Sequence, residues 1–305
     1  MATLKLHQPI DMNTLQAWDG RFTIIGSHQI RVTDGVKTQD YFGDFQFSSE
    51  GIISGTLTST TAYQNGLYYE VTDLNVDAPT MAGYIENFDI GSALNEVLKG
   101  DDTIIGSAGN DVIKGGTGND TIDGGNGIDK VIYNSNSGLI VTNTAVANGP
   151  AYAVTVDGKI DVISNVERIG FGDGSTLALD VGAGENAGSA YRLYQAAFDR
   201  QPDNGGLKWW INQLDNGMSL TQAAQGFVDS AEFKKLNPSQ DATSIITSYY
   251  QNVLDRAPDA GGLKYWEDAM ASGNTNAAYM LASFSESAEN ISNTSPAFNG
   301  GLWLF

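Results

Sequence analysis

The chain has 305 residues, 41% of them hydrophobic, with 16 Lys and Arg against 36 Asp and Glu, a formal net charge of -20 at pH 7. That length allows two or three domains with buried cores, whereas so acidic a surface excludes partners that need basic contacts, nucleic acid and anionic lipid among them. The absence of cysteine excludes disulfides, thiolate metal sites and cysteine nucleophiles. Met1 to Gly20 holds no apolar core of signal-peptide length, and no apolar run is long enough to span a membrane. Any export is therefore expected to proceed without an N-terminal leader.

From about Arg21 to Val76 the sequence predicts antiparallel strands. Phe45 and Phe47 alternate with polar neighbours, and Asp34-Gly35 and Asn65-Gly66 are hairpin turn pairs. Two short helices are expected over Pro79 to Asn87 and Ser92 to Leu98. At Lys99 the character changes. Gly106 to Lys114 reads GSAGNDVIK, Gly115 to Asp123 GGTGNDTID and Gly124 to Ile132 GGNGIDKVI, after a degenerate copy ending KGDDTII at Ile105. Asp102, Asp111, Asp120 and Asp129 recur nine residues apart, each followed two places later by an apolar residue: Ile104, Ile113, Ile122 and Val131. Residues 134 to 180 predict further strands that extend a stacked β-structure, and Val181 to Gly188 reads as a linker. The remainder is helical and duplicated. YQAAFDRQPDNGGLKWW from Tyr194 returns as YQNVLDRAPDAGGLKYW from Tyr250, 56 residues on, and FVDSAE from Phe227 as FSESAE from Phe284.

The nonapeptide has a physical logic. Its glycines permit a tight turn presenting carbonyl oxygens, its aspartate adds a carboxylate, and its last residues form a short strand with one apolar side chain turned into a core. Two repeats make one turn of a coil, so repeats two apart share an edge. Calcium accepts six to eight hard oxygen ligands in loose geometry, which such an edge supplies. A glycine-rich flexible linker is the alternative, but a linker has no reason to hold Asp and Ile in register through four copies. Residues 99 to 133 resemble the RTX calcium-binding repeats of type I secreted bacterial proteins. The resemblance implies that Asp102 pairs with Asp120 and Asp111 with Asp129, with the turn residues Gly100, Gly109, Asn110, Gly118, Asn119 and Gly127 completing the shells. Residues 107 and 108 are Ser and Ala, and the first copy lacks its leading glycine pair, so the Asp102 site departs furthest from the pattern.

The helical part resembles the domain of unknown function 4214 family, through its DRxPDxxGL and SAE blocks in both copies. That family implies a fold and a secreted context but no reaction. Asp199, Asp203, Asp255 and Asp259 admit a cation-loop reading. The preferred reading is structural: Arg200 and Arg256 pair with carboxylates, and Pro202 and Pro258 with the acids after them start the next helix. Trp209, Trp210, Tyr265 and Trp266 at helical spacing are expected in the core rather than on a ligand-binding face.

Enzyme signatures are scarce. The two histidines, His7 and His28, lie far apart, and there is no H-E-x-x-H, G-x-S-x-G or G-x-x-x-x-G-K-[ST] motif. No catalytic residue is assigned and no cofactor beyond Ca2+. The expected architecture is a multidomain β plus α chain. Residues 1–98 form an N-terminal antiparallel β-domain with short helices, and 99–180 a parallel β-roll with β extension. A linker spans 181–188, a duplicated all-α module 189–291, and a secretion-signal-like tail 292–305. The function read from this is a secreted, calcium-binding, non-catalytic binding or matrix protein. The alternatives are a small secreted hydrolase or toxin with its site in the N-terminal β-domain, and a carbohydrate-binding adhesin. The expected partners are calcium, the type I secretion apparatus and an unidentified surface or matrix ligand.

Overall fold

The computed structural model describes residues 1–49, 51–146, 149–298 and 300–305. It divides into two compact units, Met1–Gly174 and Ser175–Phe305.

In the first unit, strand β1 (Thr3–Leu6) precedes a meander of β2 (Arg21–Ile25), β3 (Gln29–Thr33), β4 (Lys37–Ser48), β5 (Gly51–Gln64) and β6 (Leu67–Thr72). Successive meander strands pair antiparallel, and β7 (Val76–Asp77) returns to β5. At the β5–β6 turn Asn65 and Gly66 take φ values of 56° and 116°, the conformation for which Asn-Gly is suited. Helices α1 (Ala78–Glu86) and α2 (Ile90–Val97) follow. Asp77 and Asp89 start them, their carboxylates accepting from the N–H groups of Thr80 and Ser92, each at 3.0 Å.

The repeat segment forms β8 (Thr103–Ile105), β9 (Val112–Ile113), β10 (Thr121–Asp123) and β11 (Lys130–Tyr133), which alternate between two sheets. Strands β8 and β10 are parallel neighbours, as are β9 and β11. A hairpin of β12 (Ile140–Val146) and β13 (Gly149–Val156) then leads into β14 (Lys159–Ser164) and β15 (Arg168–Phe171). Strand β14 adds in parallel to β10, and β15 to β11. At the other end β1 runs parallel to β8 while pairing antiparallel with β6. The meander and one face of the repeats thus share a twelve-stranded mixed sheet, where the sequence predicted an antiparallel N-terminal sheet. The reason is β1, which has edges on both sides. The apolar positions of the repeats stack in register. Ile104, Ile122 and Ile163 form one column continued by Leu4, and Ile113, Val131 and Ile169 form another. All six are fully buried, and each such side chain contributes roughly 1.5–3 kcal/mol.

In the second unit, β16 (Thr176–Ala178) is followed by α3 (Asn186–Phe198), α4 (Asn204–Asp215), α5 (Leu220–Asp229) and α6 (Ala231–Leu236). The set repeats as α7 (Ala242–Leu254), α8 (Ala260–Ala271), α9 (Ala277–Ser285) and α10 (Ala288–Thr294), 56 or 57 residues later. A short 3₁₀ turn leads to β17 (Leu302–Leu304), which pairs antiparallel with β16. The segment predicted as a tail is therefore folded, with Phe298, Leu302 and Leu304 buried; within it Asn299 lies outside the described residues.

The DRxPD loops are helix punctuation. Asp199 and Asp255 end α3 and α7 in the left-handed conformation, at φ 51° and 47°. Asp203 and Asp259 cap α4 and α8, accepting from Gly206 and Gly262 at 2.8 Å. Arg200 is held by Glu232 at 2.7 and 2.9 Å, and Arg256 faces Glu289 at 3.8 Å. The aromatic pairs split. Trp210 stacks on Phe227 and Trp266 packs against Phe284, whereas Trp209 and Tyr265 are exposed, which corrects the expectation that all four are core. Adjacent helical residues point about 100° apart, so one of each pair faces outward.

The most deeply buried charge of this unit is Arg192. Its guanidinium donates to Glu286 at 2.8 Å and to the carbonyls of Val181 and Gly182 at 3.0 and 2.7 Å. Removing one member of a buried ion pair strands the other, at about 3–5 kcal/mol. Arg192→Met is therefore expected to destabilise this unit by about 3 kcal/mol in guanidinium unfolding followed by tryptophan fluorescence. Arg200→Met, at a surface pair, is expected to cost below about 1 kcal/mol.

Candidate calcium-binding edges

The glycine turns stack at close range. Gly100, Gly118 and Gly127 all have positive φ, at 115°, 142° and 130°. A Cβ on Gly118 would lie 2.0 Å from the Gly100 carbonyl, and one on Gly127 2.8 Å from the Gly109 carbonyl carbon. Only glycine permits both the dihedral and the approach. Each turn thus lies against the turn two repeats away, on its own edge.

The aspartates form a ladder along each edge. On one, the Asp102 N–H donates to Asp120 Oδ1 at 2.9 Å, and the Ala2 N–H donates to Asp102 Oδ1. On the other, the Asp111 N–H donates to Asp129 Oδ1 at 2.7 Å, and the Ile10 N–H to Asp111 Oδ1 at 2.6 Å. Asp102, Asp111, Asp120 and Asp129 are all buried. A second, outer ladder uses position five. The Asn119 N–H donates to Asp101 Oδ1, and the Ile128 N–H to Asn110 Oδ1, both at 2.9 Å. The Asn119 side-chain oxygen accepts from Ile160 at 2.9 Å. The amide oxygens of Asn110 and Asn119 are thus engaged in ties between turns, and their backbone carbonyls are what they offer a cation.

Two findings test whether these edges fit calcium. The Oδ2 atoms of Asp102 and Asp129 are buried without a hydrogen-bond partner. Burial pushes the Asp120 carboxyl up to about 6, with the neighbouring carboxylates of Asp161 and Asp102 adding to the rise. It pushes Asp129 up to about 8, with Glu167 and Asp111 adding to it. Buried, mutually repelling carboxylates with orphaned oxygens are a costly arrangement that a divalent cation relieves. Among the described residues no three His, Cys, Asp or Glu side chains group to hold a metal ion. An ion here would draw on carboxylate pairs and backbone carbonyls, the hard oxygen donors that suit calcium.

The structure sets Asp102 beside Asp120 and Asp111 beside Asp129, and it extends the two ladders with acids that the nine-residue period does not mark, Asp161 and Glu167. The Asp120 N–H donates to Asp161 Oδ1 at 2.8 Å, and the Asp129 N–H to Glu167 Oε2 at 2.7 Å. The β12–β13 hairpin intervenes, so the spacings are 41 and 38 residues instead of 18. The available signal was the acid–x–apolar triplet at Asp161-Val162-Ile163 and Glu167-Arg168-Ile169.

At Gly124 a Cβ would stand 2.0 Å from the Asn165 carbonyl oxygen and 2.8 Å from Asp129 Oδ2. Gly124→Ala is expected to lower the stability of the first unit by about 2 kcal/mol, the scale of overpacking, in thermal unfolding. Gly91→Ala, whose Cβ meets nothing closer than 3.7 Å, is expected to be neutral or stabilising.

Residues 98–131 match the RTX calcium-binding nonapeptide repeat in four copies. Residues 184–237 and 239–294 match the domain of unknown function DUF4214. No curated protein and no solved structure matches the chain. Among the described residues no helix is long and apolar enough to cross a membrane. The chain carries an RTX repeat segment, whose nonapeptides bind calcium, followed by a two-copy DUF4214 region.

Proposed function

We propose that the first unit is a calcium-folded parallel β-roll, and that the protein is an exported, non-catalytic binding or matrix protein. The observation that carries the reading is the pair of buried carboxylate ladders with orphaned oxygens. Asp102 with Asp120, and Asp111 with Asp129, are the charged ligands. Carbonyls from the turns containing Gly100, Gly109, Asn110, Gly118, Asn119 and Gly127 complete the shells. Extracellular calcium modules bind on the order of 10⁻⁴ to 10⁻³ M. At a hundred times the dissociation constant, calcium stabilises the folded form by about 2.7 kcal/mol. At the far lower calcium of a cytosol the roll would stay open and pass a type I channel as an extended chain. A C-terminal export signal would be read before Leu302 and Leu304 are buried against β16.

Circular dichroism is expected to show a gain of β-structure when calcium replaces chelator; identical spectra would refute calcium-driven folding. Asp120→Asn and Asp111→Asn are each expected to weaken calcium binding at least tenfold in titration calorimetry, because each removes a charged ligand shared between stacked turns.

One observation favours the carbohydrate-binding alternative. In the N-terminal region a cleft of about 400 Å³ is lined by Trp18, Tyr63 and Tyr68 together with Gln16, Gln64 and Lys37. Aromatic faces beside amides are the surface a sugar ring requires, apolar body against polar rim. On this reading a glycan array yields calcium-independent binding that Trp18→Ala abolishes.

A further inference from the structure

The repeat geometry continues past the four matched copies. Ile163 and Ile169 are fully buried and pair in register with Ile122 and Val131. The two acids preceding them repeat the ladder bonds, at 2.8 and 2.7 Å against 2.9 and 2.7 Å inside the repeats. The outer ladder continues as well, through the Ile160 N–H on Asn119. Asn165, at φ 50°, takes the left-handed turn conformation, and its carbonyl stacks on Gly124 as the Gly124 carbonyl stacks on Gly106.

The two edges end differently. Asp161 accepts from the Asp120 N–H on Oδ1 and from the Tyr133 hydroxyl, at 2.8 Å, on Oδ2. Both of its oxygens are thus held by donors. On the other edge, Asp129 is fully buried, its Oδ2 has no hydrogen-bond partner, and that atom and the Asn165 carbonyl press on the same point above Gly124.

We propose that Glu167 is a calcium ligand: with Asp129 and the Asn165 carbonyl it forms a site beyond the four repeats, while Tyr133 closes the other row at Asp161 without a further ion. The inference rests on the calcium reading above and extends it to one edge only. Two carboxylates and a carbonyl supply the charge and hard oxygens that calcium takes, water filling the remaining positions. On the Asp161 edge a donated hydroxyl proton points at the oxygen an ion would need.

The test uses the full chain, with bound calcium counted by native mass spectrometry and individual affinities read by titration calorimetry. Glu167→Gln is expected to lose one ion per chain, and Asp161→Asn to keep the wild-type count. A wild-type count of zero refutes the calcium reading itself. With calcium bound to the wild type, an unchanged count in Glu167→Gln overturns the proposal, as does an ion lost in Asp161→Asn. If Glu167→Gln fails to fold, Glu167→Asp decides, since it keeps the charge but withdraws it by one methylene. It is expected to weaken one ion at least tenfold, and affinities all within twofold of wild type overturn the proposal.

Discussion

The first unit depends on one interaction, a backbone N–H of one rung donating to a carboxylate of the next rung on the same edge. Among the described residues the two inner ladders make it six times, from Ala2 and Ile10 at one end to Asp161 and Glu167 at the other. Each bond fixes register and satisfies a buried donor, but it takes up only one carboxylate oxygen. At Asp102 and Asp129 the second oxygen stays buried without a donor, and the negative charge stays with it. Hydrogen bonding alone leaves that charge uncompensated, and the cost of a buried unpaired carboxylate is several kcal/mol even after relaxation. The apolar columns cannot remove this penalty. They set the spacing at which the carboxylates stand.

The ends of the ladders show how the arrangement is limited. At the N-terminal end the donors come from Ala2 and Ile10, whose side chains carry no oxygen with which to extend the ladder. Strand β1 meanwhile covers the β8 edge and joins it to β6. An uncovered parallel edge is a template for aggregation, and a strand of the neighbouring meander is an economical cover.

The legibility of the sequence followed the range of the interactions. The position-six aspartates, their pairing at 18 residues and the apolar columns were readable because a fixed period reports them. The helix starts at Asp203 and Asp259 were readable because capping is local. The part of β1 was not, because a four-residue strand carries no mark of which partners it takes on its two edges. Asp161 and Glu167 were missed for a related reason. The inserted hairpin breaks the nine-residue period while leaving the three-dimensional repeat intact, so only the triplet of acid, spacer and apolar residue survives. Trp209 and Tyr265 were misplaced because adjacent aromatics on a helix cannot all share its buried face.

The same residue type does opposite work in the two units, and burial decides which. Asp203 and Asp259 stand exposed at helix starts, each accepting a backbone N–H, with water available to the remaining lone pairs. Asp120 and Asp129 also accept a backbone N–H, yet their surroundings raise their proton affinity through burial and neighbouring carboxylates. A charge of -20 therefore says little about where cations bind. Most of these carboxylates are solvated. The few that matter are those whose second oxygen the fold has removed from water without supplying a donor. In the helical unit, Glu286 meets that difficulty with a protein cation, Arg192. In the repeat unit the glycine turns approach within contact of one another, which leaves no room for an arginine between them but leaves carbonyl oxygens at hand. A small divalent ion is the counter-charge that such a stack can accommodate.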